Sequence, residues 1–173
     1  MITASGFYPE LVQPFPFQIV AAKWMASKEQ CFLMDAMRVG KTPAAIRAFD
    51  VLNLKNILIV CPASVRVNWA RELQRFSPLD RPTQVVFPSM RPNTSDVVII
   101  SYDMLVTHKD LLKSATWDVV VADEAHLAKE RTAARTRALY GHGKRTLGVI
   151  ASAKRCWRLS DWFLCFTFRW PTP

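Results

Sequence analysis

The sequence predicts a three-layer α/β fold in which helices flank a mostly parallel central sheet. Two observations support this prediction: several short runs are apolar at every position, and longer stretches of helical character separate them. Runs that are apolar on both faces are typical of strands buried inside a parallel sheet. The alternation of strand and helix along one chain favours right-handed crossover connections.

The predicted elements alternate along most of the chain. The predicted strands are Cys31–Asp35, Ile57–Cys61, Gln84–Phe87, Val97–Ser101, Val119–Asp123 and Cys156–Ser160. The predicted helices are Thr42–Leu54, Val65–Phe76 and Ala133–Tyr140. We expect Ser64 to cap the second of these helices. Prolines between Pro78 and Pro92 predict a loop-rich passage.

The composition is that of a folded domain with a basic region. With 173 residues, half of them hydrophobic, the chain is long enough to bury a core. The formal net charge is +9, and nine basic residues lie between Lys129 and Arg158 against one acidic residue. Such a stripe suits a polyanion, with nucleic acid as the leading candidate, and a solvated surface explains the charge equally well.

Cysteine spacing and hydropathy argue against other classes of protein. The four cysteines show no metal-ligand or redox spacing, so we expect reduced thiols and a cytoplasmic protein. No secretory signal and no run of about 20 apolar residues is visible, so we expect no membrane association. No nucleophile lies in a recognisable elbow, which argues against a serine or cysteine hydrolase.

The strongest chemical signal is segment 35–42, Asp-Ala-Met-Arg-Val-Gly-Lys-Thr, between a predicted strand and a predicted helix. Backbone N–H groups at such a helix start converge on phosphate oxygens. Gly40 permits close approach, Lys41 supplies charge for the β- and γ-phosphates, and the Thr42 hydroxyl can ligate Mg²⁺. Asp35 stands where a glycine is usual, so a helix cap without nucleotide is the alternative.

Two carboxylates, Asp123 and Glu124, lie where the strand Val119–Asp123 ends. The carboxyl ends of parallel strands are where ligands bind in α/β sheets. Asp123 can hold the Mg²⁺ ion that Thr42 also touches, and Glu124 can polarise the attacking water as a general base. Helix capping is the alternative for the acids alone, but together with segment 35–42 they predict a Mg-ATP site.

The motifs together resemble helicase superfamily two, and within it the Swi/Snf-type DNA translocases. Asp-Glu-Ala-His at 123–126 and the loop ending in Gly-Lys-Thr carry the first likeness. Arg38 replaces a glycine of the family's loop, and Lys129 matches the family's usual lysine. The narrower likeness, to the Swi/Snf-type translocases, comes from three segments. The first is Phe17-Gln18, ahead of a helix with Trp24-Met25. The second is 57–64 with Asn68, Trp69 and Glu72, which we call segment Ia, and the third is 100–105, which we call segment Ib.

The resemblance implies a RecA-like ATP-binding lobe of the P-loop NTPase type over residues 1–160, which hydrolyses ATP when bound to double-stranded DNA. Gln18 would contact adenine, and His126 would link the nucleotide site to the rest of the motor. Segments Ia and Ib would lie along the DNA backbone. The nucleic-acid and coupling residues would be Ser101, Tyr102, His126 and Lys129. The nucleotide loop would comprise Asp35, Met37, Arg38, Val39, Gly40, Lys41 and Thr42.

The compact layout, without a large insertion, resembles bacterial, phage and annealing-helicase-like members of this family. It therefore implies the cytoplasm of a bacterium or of a phage-infected cell. Residues 161–173 depart from the pattern, because the family continues Leu159-Ser160 with Gly-Thr-Pro and this chain continues with an aromatic-rich stretch. Our hypothesis is out-of-frame or substituted sequence, with a genuine C-terminal strand or a partner-binding anchor as alternatives.

Three functions stay open. One is the N-terminal lobe of a DNA translocase or helicase, with little or no turnover alone because the family's second lobe supplies arginines to the transferring phosphoryl group. A separate chain or a downstream frame would supply that lobe. Another is a non-catalytic module that holds nucleotide or DNA. The last is an RNA helicase, which Asn68-Trp69 and 101–103 argue against by resemblance alone.

Overall fold

The fold is known from a computed structural model. It describes residues 12–28, 30–34, 39–93, 96–108, 111, 117–128, 133–140 and 163–168. The strands are β1 (Gln30–Met34), β2 (Ile57–Cys61), β3 (Thr83–Val85), β4 (Val97–Ser101), β5 (Val119–Asp123) and β6 (Phe163–Phe168). The helices are α1 (Pro16–Ala26), α2 (Lys41–Val51), α3 (Arg66–Phe76), α4 (Tyr102–Thr107) and α5 (Ala134–Tyr140), and 3₁₀ turns span Ala63–Val65 and Ala125–Ala128.

The strands form one sheet in the order β1-β6-β5-β2-β4-β3. β3, β4, β2 and β5 are parallel neighbours, and Ile57 of β2 is in register with Val97 of β4 and with Val119 of β5. The strands β2, β4 and β5 therefore end at the same edge of the sheet, which we call the carboxyl edge. The predicted α/β fold with a mostly parallel central sheet is confirmed.

β6 is antiparallel to both of its neighbours. Phe163 is paired with Met34 of β1, and Leu164 is paired with Asp123 of β5. β6 therefore begins at the carboxyl edge, and β1 runs in the same direction as β5. Residues 163–168 thus match the alternative of a C-terminal strand, while the hypothesis of an altered reading frame over 161–173 stays a prediction.

Helices cover both faces of the sheet and make the predicted three layers. Residues Ile57, Ile59 and Cys61 of β2 belong to a core shared with α1, α2 and α3. Leu58 and Val60 point to the other face, into a core shared with α4 and α5. All five residues of β2 are buried, which is why this strand is apolar at every position.

Several predicted boundaries need correction. α2 ends at Val51 rather than Leu54, because Asn53 has φ 50°, in the left-handed region where a helix does not continue. Ser64 lies inside a 3₁₀ turn, and the N-cap of α3 is Val65, without a side-chain cap. Phe17-Gln18 belongs to the first turn of α1 rather than preceding it.

Two other predicted strands have different outcomes. The strand predicted at Gln84–Phe87 is shorter and lies at Thr83–Val85. The strand predicted at Cys156–Ser160 lies outside the described residues. No helix in the part of the chain that the structure describes is long and apolar enough to cross a membrane.

Candidate nucleotide site

The first turn of α2 follows a glycine in a left-handed conformation. Gly40 has φ 82°, a left-handed conformation that favours glycine, and a Cβ atom there would displace the Nε2 atom of Gln18. Lys41 and Thr42 are the first two residues of the helix. The N–H groups of a first helical turn have no acceptor within the helix, and with the helix dipole they favour an anion. Asp35, Met37 and Arg38 lie outside the described residues.

Gln18 connects α1 to this loop. Its Nε2 atom donates to the carbonyl oxygens of Val39 and Gly40, each at 3.3 Å. Its Oε1 atom accepts from the backbone N–H of Phe15 at 2.9 Å, and the residue is only 4% exposed. The side chain therefore fixes the loop to α1, and its contact with adenine stays a prediction.

The acidic pair lies where β5 ends, at the carboxyl edge. Glu124, the first residue after the strand, has φ 55°, an unfavourable conformation for a residue with a side chain. Such strain costs on the order of 1–3 kcal/mol and clusters at functional sites. The carbonyl of Glu124 accepts from the N–H of Leu127 at 2.9 Å, which closes the 3₁₀ turn behind it.

The electrostatics of Glu124 place Lys41 near the acidic pair. Burial raises the pKa of Glu124 to about 7, the charge of Asp123 raises this pKa as well, and the charge of Lys41 lowers it. These three residues therefore share one electrostatic neighbourhood, although they come from α2 and from the end of β5. A carboxylate with a pKa near neutrality is suited to accept a proton from water.

Two buried side chains hold Asp123. The indole Nε1 of Trp69 donates to its Oδ2 atom at 2.8 Å, and the hydroxyl of Tyr102 donates to its carbonyl oxygen at 2.7 Å. Trp69 shares the buried face of α3 with Arg66 and Leu73, which explains its burial from sequence. Its hydrogen bond to a residue 54 positions away has no local signal, so sequence reasoning missed this role.

The other predicted site residues have varied positions. Ser101 is buried and caps α4, where its hydroxyl accepts from the N–H of Met104 at 3.3 Å. Tyr102 is also buried, and its hydroxyl donates to the carbonyl oxygen of Asp123. Both hydroxyls thus form hydrogen bonds within the protein, and their contact with nucleic acid stays a prediction. His126 belongs to the 3₁₀ turn Ala125–Ala128, and Lys129 lies outside the described residues.

The oxygen donors of the site suit Mg²⁺. Among the residues that the structure describes, no group of three or more His, Cys, Asp or Glu side chains could hold a metal. Mg²⁺ does not need such a group, because it keeps several waters and binds one or two protein oxygens together with substrate phosphates. A hydroxyl from Thr42 and a carboxylate from Asp123 are ligands of that kind.

The predicted basic stripe is described only in part. Arg135 of α5 forms a salt bridge with the exposed Asp103 of α4 at 2.7 Å, and Arg137 is exposed. Most of the stripe between Lys129 and Arg158 lies outside the described residues. The expected polyanion partner therefore stays a prediction.

Known proteins with similar sequences share one family. The profile of the family "SNF2-related domain" matches residues 17–145. The chain is 30% identical over 150 residues to the Caenorhabditis elegans homologue of SWI/SNF-related matrix-associated actin-dependent regulator of chromatin subfamily A-like protein 1, covering 82% of this chain and 22% of that protein. It is 32% identical over 136 residues to the Bos taurus DNA annealing helicase and endonuclease ZRANB3, covering 73% of this chain and 12% of that protein.

A solved structure has the same fold. It is described as the Sulfolobus solfataricus SWI2/SNF2 ATPase core in complex with dsDNA, and it superposes with a TM-score of 0.64 at 28% identity. The superposition covers 76% of this chain and 31% of the solved chain. The chain thus spans between 12% and 22% of the two relatives' lengths and under a third of the solved core.

Proposed function

The chain belongs to the family of SNF2-related domains, and on that premise we propose that residues 1–160 form the ATP-binding lobe of a DNA translocase or helicase. The observation that supports this most directly is the shared neighbourhood of Lys41, Asp123 and Glu124 at the carboxyl edge. A cation at a helix start and two carboxylates at a strand end are what a Mg-ATP site requires.

In the proposed site each residue has a separate task. Lys41 binds the β- and γ-phosphates, and Thr42 and Asp123 hold Mg²⁺. Bound Mg²⁺ neutralises phosphate charge and polarises the phosphoryl group. Glu124 accepts a proton from the attacking water, a task that its raised pKa supports.

The remaining proposed roles are recognition of adenine, coupling to the rest of the motor, and contact with DNA. We propose that Gln18 reads adenine from its position beside the loop, and that His126 couples the nucleotide site to the rest of the motor. The solved core with dsDNA supports double-stranded DNA as the partner. Segments Ia and Ib, with Lys129 and the basic stripe, would contact its backbone, since phosphates attract lysine and arginine.

We propose that the 173 residues taken alone bind Mg-ATP with little turnover. By the family resemblance, the arginines that neutralise the transferring phosphoryl group belong to a second lobe. Such an arginine contributes roughly 10³–10⁵ in rate in related NTPases. A bacterial or phage source and a cytoplasmic location, supported by the compact layout alone, belong to the same proposal.

Titration of a fluorescent ATP analogue, with Mg²⁺ and with EDTA, tests the site. We expect saturable binding that Mg²⁺ strengthens, and an ATPase assay with duplex DNA should give a rate far below that of a two-lobed relative. Competition between duplex DNA and duplex RNA of equal length should favour DNA. Absence of Mg²⁺-dependent ATP binding by the folded chain would refute the proposal.

A further inference from the structure

The end of β5 is held from two directions by residues of two different helices. From α4, Tyr102 donates its hydroxyl to the backbone carbonyl of Asp123 at 2.7 Å. From α3, Trp69 donates its indole N–H to the carboxylate of Asp123 at 2.8 Å. Trp69 is 1% exposed and Tyr102 is 2% exposed, so water competes little with either hydrogen bond.

The two bonds restrict different motions of Asp123. The Tyr102 bond fixes the main chain, which leaves rotation of the carboxylate as the principal remaining freedom of this residue. An N–H bond to one carboxylate oxygen opposes that rotation, and a bond to an ionised acceptor is about twice as strong as a neutral one. In metal sites, partners that orient a ligand in this way change metal affinity by roughly 10- to 100-fold when they are removed.

We propose that Trp69 is a positioning residue, whose indole N–H orients the Asp123 carboxylate for Mg²⁺. This inference rests on the proposed Mg-ATP site and adds a residue to it that does not touch the nucleotide. Because Trp69 belongs to α3, it also connects segment Ia directly to the metal ligand. A shift of α3 would thereby change the orientation of the carboxylate.

A second buried tryptophan offers a matched control. Trp117 is 3% exposed, and its indole N–H donates to the backbone carbonyl of Leu111 at 3.3 Å. Trp117 therefore satisfies its indole away from the acidic pair, as burial alone requires. Phenylalanine at either position retains an aromatic ring and removes the N–H donor.

The test compares Trp69→Phe with Trp117→Phe in the full chain by titration of ATP with Mg²⁺ and with EDTA. We expect Trp69→Phe to reduce the strengthening of ATP binding by Mg²⁺ by about 10-fold or more, with Mg²⁺-free binding nearly unchanged. Trp117→Phe should preserve the Mg²⁺ effect at a comparable loss of stability in urea. An equal Mg²⁺ effect in both variants would overturn the proposal.

A spectroscopic measurement examines the contact without relying on nucleotide or on the folding of Trp69→Phe. In ¹⁵N-labelled chain, the Trp69 indole resonance should move in the Asp123→Asn variant, whereas the Trp117 resonance should stay. If the Trp69 resonance does not respond, the positioning contact is absent and the inference fails, whatever the chain binds. If it responds but the wild-type chain shows no Mg²⁺ effect on ATP, the proposed function fails and the inference with it.

Discussion

Carboxylates at the two edges of the sheet are held differently. At the edge where β2 and β5 begin, Asp118 accepts from the backbone N–H groups of Lys55 and Asn56 at 2.8 and 2.9 Å. At the carboxyl edge, Glu124 has a positive φ, and burial and a neighbouring carboxylate raise its pKa to about 7. The carboxylate of Asp118 thus serves as an acceptor for the backbone, whereas the surroundings of Glu124 disfavour its charged form.

A second acid near the edge where β2 and β5 begin is also held by neighbouring side chains, through one of its two carboxylate oxygens. Asp50, in the last turn of α2, forms a salt bridge with Arg81 at 2.6 Å and accepts from the hydroxyl of Ser77 at 2.7 Å. The side chains of Arg81 and Asp50 are 7% and 9% exposed. These three side chains, Asp50, Ser77 and Arg81, connect the ends of α2 and α3 with the segment that precedes β3. Hydrogen-bonded and ion-paired acids thus lie at one edge, whereas the carboxyl edge has the strained Glu124 and is where we propose the nucleotide site.

Removal of the buried acid should have the largest effect on stability. Asp50→Ala leaves the Arg81 guanidinium buried beside no carboxylate, which costs about 3–5 kcal/mol. Urea unfolding measures this loss. Arg47→Ala is the matched control, because Arg47 contacts the same Asp50 at 3.6 Å but its side chain is 32% exposed, so about 0–1 kcal/mol is expected. Equal losses in the two variants would contradict the importance of the buried pair.

Removal of the proposed phosphate-binding cation, Lys41, should affect nucleotide binding rather than stability. Lys41→Ala should weaken Mg-ATP binding by about 10- to 100-fold, because a hydrogen bond to a charged group contributes roughly 1.5–3 kcal/mol. The urea midpoint should change little, since Lys41 is at the start of a helix. Lys55→Ala, an exposed lysine at the opposite edge, should leave ATP affinity unchanged. Unchanged Mg-ATP affinity in Lys41→Ala would refute the assignment of the phosphate loop.

Loss of a backbone-capping acid should have an intermediate effect. Asp118→Ala removes the acceptor of two backbone N–H groups that precede β2, which should lower stability by about 1–3 kcal/mol. Asp80→Ala serves as control, because Asp80 is exposed in a loop and its removal should change stability by less than about 0.5 kcal/mol. ATP affinity should be the same in both variants; a loss confined to Asp118→Ala would show that the two edges are not independent.

Much of this fold was predictable because its strands are buried on both faces. The apolar runs Ile57–Cys61, Val97–Ser101 and Val119–Asp123 have the predicted bounds, since one strongly hydrophobic segment ends where polar or proline residues begin. The end of α2 was missed although Asn53 is a signal for it, because asparagine after the last helical turn commonly adopts the left-handed φ that ends a helix. The antiparallel direction of β6 depends on pairing with distant strands rather than on its own residues.

The local structure of the candidate site was predictable where it depends on adjacent residues. Gly40, Lys41 and Thr42 are adjacent, and the helix start that they predict is present. The Trp69 bond to Asp123 depends on how α3 packs beside β5, which no local pattern encodes. The burial that raises the pKa of Glu124 is likewise a property of the folded chain, not of the two adjacent acids.

The effect of Glu124 on stability is the smallest of these effects and the sharpest test of the comparison between the two edges. Removing the charge of this acid should raise stability, whereas removing Asp50 or Asp118 should lower it. The folded-state pKa of Glu124 is raised from 4.5 to about 7, so the folded chain retains a proton that the unfolded chain has lost between these values. Glu124 therefore lowers stability progressively as pH rises from about 4.5 to about 7, and the penalty is complete above that. Glu124→Gln, which keeps the shape and cannot ionise, should raise stability at pH 8 by about 1–2 kcal/mol without nucleotide or Mg²⁺, less than the roughly 3 kcal/mol of the full shift because solvent screens this half-buried group.

Urea unfolding in EDTA at pH 8 and near pH 4.5 measures this difference, which should disappear at the lower pH because both side chains are then uncharged in the folded chain. The same variant should bind Mg-ATP within about threefold of wild type and abolish any hydrolysis, since it retains Lys41 and Asp123 and loses the base. If Glu124→Gln instead destabilised the chain at pH 8, as Asp118→Ala is expected to do, the Glu124 carboxylate would contribute to stability. The proposed division, between one edge whose acids stabilise the fold and another whose acids form the nucleotide site, would then be wrong.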